Sequence, residues 1–194
     1  RPVWGGTYFP KESWIEALLE VNRIFSASPA QVLLHAENLA RGIRQASLPV
    51  SSAQHLPVNP ALIDRAVENW KLSFDTRHGG RKGRPKFPMP VSLQFLLHYG
   101  VLRNDVQISG QVKLTLEKMA MGGIYDQAGG GFARYSVDEY WKVPHFEKML
   151  YDNGQLLSVY AQAYQVWDSP LFRSVVEETV GFLEREMLHP SGAF

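Results

Sequence analysis

Apolar residues recur every three or four positions along most of the chain, a spacing that predicts a run of amphipathic helices. Trp14, Leu18, Val21 and Phe25 mark a first helix over 11–25, and Ser28-Pro29 supplies an N-cap and first-turn proline for a second through about Gln45. Asn59-Pro60 opens a third through about Ser73, with Leu62, Ile63, Ala66, Val67 and Trp70 on one stripe. Met89-Pro90 begins a fourth through about Leu102, and Ser109 caps a fifth that ends before Gly122-Gly123. The sixth carries the clearest stripe, Phe146, Met149, Leu150, Asn153, Leu157, Tyr160, Tyr164 and Trp167, and Ser169-Pro170 starts the last, through about Leu188. The tryptophans Trp14, Trp70 and Trp167 fall on these stripes and are expected in the core, with Tyr160 and Tyr164. Two stretches break the pattern: residues 1–10, bounded by prolines and expected as a short strand or turn, and 47–58, a proline- and serine-rich linker.

The longest break between helices is the glycine-rich stretch 122–144. Connections beyond about 12 to 15 residues are uncommon in compact domains and are usually binding loops, lids or disordered linkers. Here Ile124, Tyr125, Phe132, Tyr135, Tyr140 and Trp141 carry enough apolar area to order the loop, with its aromatics folded beneath a rim. The helices are punctuated by His78-Gly79-Gly80, by Gly122-Gly123 leading to Gly130-Gly131-Phe132, and by His189-Pro190-Ser191-Gly192. These connections lie roughly 45 to 65 residues apart, the size of a repeated helix pair, so stacked pairs would place them all on one edge.

Twenty basic against nineteen acidic residues leave a net charge of +1, which gives no overall electrostatic case for nucleic acid or an anionic membrane. No apolar run is long enough to span a bilayer and no signal-peptide pattern opens the chain. The absence of cysteine rules out disulfides, thiol redox chemistry and cysteine-ligated zinc within these residues, and is consistent with a cytoplasmic setting.

Gly-Gly-Thr-Tyr-Phe-Pro at 5–10, Arg-Pro-Lys-Phe-Pro at 84–88, Gly-Gly-Ile-Tyr-Asp-Gln at 122–127, Arg-Tyr-Ser-Val-Asp-Glu at 134–139 and Trp-Lys-Val-Pro-His-Phe-Glu-Lys-Met-Leu-Tyr-Asp-Asn at 141–153 carry a resemblance. The chain resembles the spermatogenesis-associated thioredoxin-like family and its bacterial YyaL-type relatives. That resemblance implies a thioredoxin-like domain followed by a six-hairpin, glycosidase-like α/α toroid, of which this chain is a middle fragment. Residues 1–46 would be the tail of the thioredoxin-like domain, 47–58 the linker and 59–194 the first helical hairpins of the toroid. The fold expected is therefore mainly α. Arg81 stands where an aromatic is expected after Gly-Gly, and Gly154 where alanine is expected.

Asp126, Asp138, Glu139, Glu147 and Asp152 would bring carboxylates to the toroid mouth, and sugar hydrolysis commonly pairs a protonated acid with an ionised one. The competing reading has Asp126 cap a turn, Asp138-Glu139 begin another and Asp152 pair with Lys148. His145, expected at the start of the sixth helix, would serve as a base for epimerisation beside a carbonyl, or else anchor the loop. Helical spacing would put Asp152 roughly 10 Å from it, in an orienting rather than an acidic role. Tyr125, Tyr135 and Trp141 offer faces on which sugars stack, and Arg134 and Lys86 offer donors, although such tyrosines are more often a loop's own core. The candidate catalytic residues are thus Asp126, Asp138, His145 and Glu147. The candidate substrate-binding residues are Tyr125, Arg134, Tyr135, Trp141, Lys86 and Asp152. His145-Phe146-Glu147 matches part of a zinc deaminase motif without its cysteines, so no metal is assigned, and no cofactor is called for.

The expectation is a carbohydrate-active or carbohydrate-binding toroid, epimerase-like or hydrolase-like, with a small sugar as its partner. The alternative is a non-catalytic or redox-linked module that binds a ligand or client for the thioredoxin-like domain. RNA binding through the basic cluster Arg77, His78, Arg81, Lys82, Arg84 and Lys86 is disfavoured, because helices rather than a small α/β fold flank its G-x-x-G. Self-association through exposed flanks of an incomplete ring is expected.

Overall fold

A computed structural model describes residues 1–6, 8–47 and 59–194, apart from the side chain of Ser47. Among the described residues the chain is mainly helical: α1 (Lys11–Ala27), α2 (Pro29–Ser47), α3 (Pro60–Lys71), α4 (Pro90–Arg103), α5 (Val106–Ala120), α6 (Leu150–Trp167) and α7 (Pro170–Phe182), extended by a π-helical turn, Leu183–Met187. No helix among them is long and apolar enough to cross a membrane. They form two compact units, Arg1–Val58 and Asn59–Phe194. The linker expected over 47–58 lies outside the described residues except for Ser47, which ends α2.

In the first unit α1 packs on α2, and no strand forms among the described residues of 1–10. Trp4, Phe9 and Trp14 instead gather with their rings tilted by 35 to 43° and ring centroids 5.2 to 5.9 Å apart. Trp14, expected in the core, is 44% exposed within this unit.

The core of the second unit lies among α4, α5, α6 and α7. Leu97, Ile108, Val112, Leu116, Leu156, Tyr160 and Phe172 have essentially no exposed surface, and each such side chain contributes about 1.5–3 kcal/mol of apolar burial. Tyr160 satisfies its buried hydroxyl by donating to the carbonyl of Leu116 at 2.7 Å. Trp70 and Trp167 pack on this core as expected. Two helix starts differ from the sequence reading. The cap of α5 is Asp105, whose carboxylate accepts from the Ile108 N–H at 3.0 Å, while Ser109 lies inside the helix. Helix α6 begins at Leu150, because the backbone of 145–147 is already paired with 134–135 and is not free to enter a helical ladder.

The connections after α3 and α5 repeat one device. In the first, Asp75 accepts from the N–H groups of Arg77 and His78, its carbonyl accepts from Gly79 at 2.9 Å, and its N–H donates to Gly80 at 2.9 Å. In the second, Asp126 accepts from Ala128 and Gly129, its carbonyl from Gly130 at 2.9 Å, and its N–H donates to Gly131 at 3.0 Å. A lysine locks each turn: Lys86 binds Asp75 and the Gly79 carbonyl, and Lys148 binds Asp126 and the Gly130 carbonyl. Gly79, Gly80, Gly130 and Gly131 all have positive φ. A Cβ at Gly79 would strike the Thr115 backbone at 2.6 Å, and one at Gly130 the Glu178 carbonyl at 2.3 Å, so each turn presses on the second helix that follows it. The unit is therefore built as two copies of turn, helix and helix.

Candidate functional site

The two turns and the segment 132–147 are stitched into a short ladder. Lys86 and Ser136 exchange backbone hydrogen bonds at 2.8 Å, Ser136 bridges on its other side to Pro144, and Val137 N–H donates to Val143 at 2.9 Å. His145 N–H donates to the Tyr135 carbonyl at 2.9 Å, but Arg134 N–H donates to Glu147 rather than to Phe146 at 2.8 Å. Residue 146 is thus an extra residue in the pairing, a bulge. It swings Phe146 out to 90% exposure, off the sixth-helix stripe on which its spacing placed it.

The bulge determines which side chains meet. Opposed backbones put Arg134 against Glu147, Nη1 to Oε2 3.1 Å, with His145 Nδ1 at 4.0 Å from the same carboxylate oxygen. Tyr135 stacks on His145 at 4.7 Å between ring centroids, and Phe87 packs on Tyr135 at 4.8 Å with a tilt of 31°. Asp152 joins this group because α6 starts late, which leaves it in the helix's first turn rather than two turns away. Burial pushes the Asp152 carboxyl above the usual carboxylate range, with the Glu147 charge adding to that rise and Arg134 opposing it. The cluster therefore offers a carboxylate held in an ion pair, a second carboxyl whose pKa burial has raised, an exposed imidazole and an aromatic face.

Five of the candidate residues lie in this cluster: Arg134, Tyr135, His145, Glu147 and Asp152. The others do not converge on it. Asp126 opens its turn and pairs with Lys148 at 2.8 Å; that pair, then the N–H groups of Gly129 and Ala128, hold its carboxyl pKa at about 2. Lys148 is thus the partner of Asp126 and not of Asp152. Asp138 closes the tip of the ladder by accepting from the N–H groups of Tyr140, Lys142 and Val143. Trp141 has no exposed surface and donates its indole N–H to the His78 carbonyl at 2.8 Å, so it offers no stacking face. Burial, and then the hydrogen bond its hydroxyl donates to Glu178, push the Tyr125 phenol above its usual range. Lys86 is 2% exposed, with its ammonium spent on Asp75 and Gly79, so it is a structural latch and not a substrate donor. Sequence reasoning missed Phe87 and placed Phe146 on the stripe of the sixth helix. The displaced register around residue 146 has no signal in apolar spacing.

No family model matches the chain. Along its whole length it is 35% identical to spermatogenesis-associated protein 20 of Homo sapiens and 34% identical to that of Rattus norvegicus, and covers 26% of each. An uncharacterised protein of Caenorhabditis elegans is 31% identical over the whole chain, which covers 28% of it. The chain thus spans about a quarter of the length of the curated relatives it matches. Alignment along the whole chain at 34–35% identity to the two spermatogenesis-associated proteins supports the resemblance to that family that the motifs carry.

Proposed function

We propose that this chain supplies part of the mouth of a carbohydrate-active α/α toroid, and that the cluster around Glu147 and Asp152 performs acid/base chemistry on a sugar. The observation that carries this reading is the contrast between the two carboxyl groups: Glu147 is held in an ion pair by Arg134, while burial raises the pKa of Asp152 above the usual carboxylate range. A carboxyl whose pKa is raised by burial, beside one held in an ion pair, is a pairing that proton donation and proton abstraction at one centre can use. Asp152 would donate to a sugar oxygen, Glu147 or His145 would accept a proton, and Tyr135 with Phe87 would present the apolar wall on which a sugar ring lies.

The architectural part of the proposal is a six-hairpin ring with a thioredoxin-like domain before it. The repeated aspartate-glycine-lysine turn supports the ring, since equivalent turns after alternate helices are what a toroid of hairpins reuses. The division into units near Val58 is consistent with residues 1–46 belonging to the preceding domain. Turnover of a panel of free and glycosidically linked sugars tests the proposal. Glu147→Gln and Asp152→Asn should each lower turnover by about 100-fold or more with melting temperature little changed. Full activity in both variants would overturn it.

A further inference from the structure

Cationic charge is concentrated in the connection between α3 and α4. Residues 77–84 carry Arg77, Arg81, Lys82 and Arg84 and no carboxylate. Taken from the chain's net charge of +1, those four leave −3 for all the other residues. Charges elsewhere are mostly answered: among the described residues, every arginine except Arg41, Arg65 and the three of this loop lies within 4.0 Å of a carboxylate oxygen. Arg77, Arg81 and Arg84 are all exposed, whereas Lys82 donates to the Leu72 carbonyl at 3.1 Å and Lys86 is spent on Asp75.

The internal repeat shows that the turn does not need these charges. Aligned on Asp75 and Asp126, the stretch Arg-His-Gly-Gly-Arg-Lys at 77–82 corresponds to Ala-Gly-Gly-Gly-Phe-Ala at 128–133, which closes the same turn without an ionisable group. Like charges held within eight residues repel one another, so the first copy carries a cost that folding alone does not require. Two contacts fix where the loop runs. At one end His78 meets Tyr140, at the tip of the ladder, edge to face with 4.8 Å between ring centroids. At the other, Phe87 packs on Tyr135 and Lys86 exchanges backbone bonds with Ser136. Arg81 and Arg84 lie between those contacts along the chain, beside the ladder that carries Arg134, His145 and Glu147, and Arg81 borders the same small hollow as Phe87.

We propose that the sugar taken by the Glu147–Asp152 cluster is phosphorylated, and that Arg81 and Arg84 hold its phosphoryl group. This rests on the reading of that cluster as a sugar site. A phosphate monoester carries nearly two negative charges on three terminal oxygens, and a guanidinium fork meets two of those oxygens with parallel N–H···O bonds. Two exposed guanidinium groups match that charge, and a neutral sugar would not use it. A long polyanion fits less well, because beyond the loop it would meet the negative balance of the remaining chain.

Glucose, mannose and N-acetylglucosamine, each with its 6-phosphate, together with inorganic phosphate, are titrated into the isotope-labelled protein while backbone and arginine side-chain shifts are followed by NMR. At least one 6-phosphate should bind about tenfold to a hundredfold more tightly than its parent sugar, shifting Arg81 and Arg84 together with Tyr135 and His145. Arg81→Gln combined with Arg84→Gln should remove that advantage while leaving the parent sugar's affinity and the melting temperature unchanged. Arg65→Gln, the same kind of charge change on α3, should leave the advantage in place, and an equal loss there would overturn the proposal. Equal binding of parent sugar and 6-phosphate at the cluster would also overturn it and leave the acid/base reading standing, whereas no binding of any of these sugars at the cluster would remove both. Shifts confined to the loop with every phosphate, or tighter binding of a short single-stranded RNA than of any 6-phosphate, would overturn it as well.

Discussion

Replacing Lys86 with methionine would remove the charge that locks the first of the two turns while keeping most of the side chain's volume. In the native arrangement the ammonium sits 2.6 Å from Asp75 Oδ2 and 2.8 Å from the Gly79 carbonyl, and its stem passes over Trp141 with the nitrogen 5.4 Å from the ring centroid. Burial alone would raise the Asp75 carboxyl. Lys86 together with the N–H groups of His78 and Arg77 outweighs that and holds it at about 2, against an ordinary value of 3.8. A fall of that size corresponds to about 2 kcal/mol in favour of the charged form. Removing one partner of a buried pair typically costs about 3–5 kcal/mol, since the other charge stays desolvated. The N–H groups that remain on Asp75 place Lys86→Met near the lower end, at about 3 kcal/mol. The pH dependence has a defined sign. Because the folded-state value lies below the ordinary one, the contribution is complete above about pH 4 and is lost as pH falls through about 2. Denaturant unfolding at pH 7 and between pH 4 and 2 measures both effects. Adding Asp75→Asn to Lys86→Met should recover about 1–2 kcal/mol by removing the stranded charge. A single variant within about 0.5 kcal/mol of the native protein, or a double variant no better than the single, would refute the reasoning.

Asn153→Leu should cost about 2–4 kcal/mol, because the Asn153 amide binds the N–H and carbonyl of Phe132 at 2.7 and 3.0 Å and its loss leaves both groups buried unpaired. Hydrogen exchange at Gly131 and Phe132 should accelerate with it, and unchanged protection would contradict this. Gly130→Ala should cost well over 2 kcal/mol, since φ is +73° and a Cβ would meet the Glu178 carbonyl at 2.3 Å. Gly192→Ala, with φ +87° and open space around it, should cost only about 1 kcal/mol, so equal melting temperatures for the two alanine variants would remove the close-packing explanation.

Helical spacing located every helix of the second unit, because a stripe of apolar residues against a core is a strong and local signal. Boundaries were less legible where tertiary pairing competed with helix formation. Nothing in Phe146-Glu147-Lys148-Met149 forbids a helix, yet ladder bonds to Tyr135 and Arg134 claim that backbone and delay α6 to Leu150. The same delay brings Asp152 to the cluster, so the residue that spacing made most distant is among the central ones. Asp126 and Asp138 looked like candidate acids by composition. Their carboxylates are consumed by the N–H groups of adjacent turns, a use that Asp followed by glycines or a tight tip announces locally. Trp141 and Tyr125 could not be separated from surface aromatics by sequence, since only the fold decides which loop aromatics turn inward. The glycine punctuation was readable as a repeat, but the lysine lock was not, because Lys86 and Lys148 stand at different distances from their aspartates.

The central claim is that a sugar is recognised at Arg134, His145, Glu147 and Asp152, and chemical-shift mapping of monosaccharides and disaccharides on the isotope-labelled protein tests it most directly. The account predicts saturable shifts confined to those residues, Tyr135 and Phe87, and their loss in Glu147→Gln and Asp152→Asn proteins that melt at nearly the native temperature. Shifts that map elsewhere, or that survive both substitutions, would contradict it.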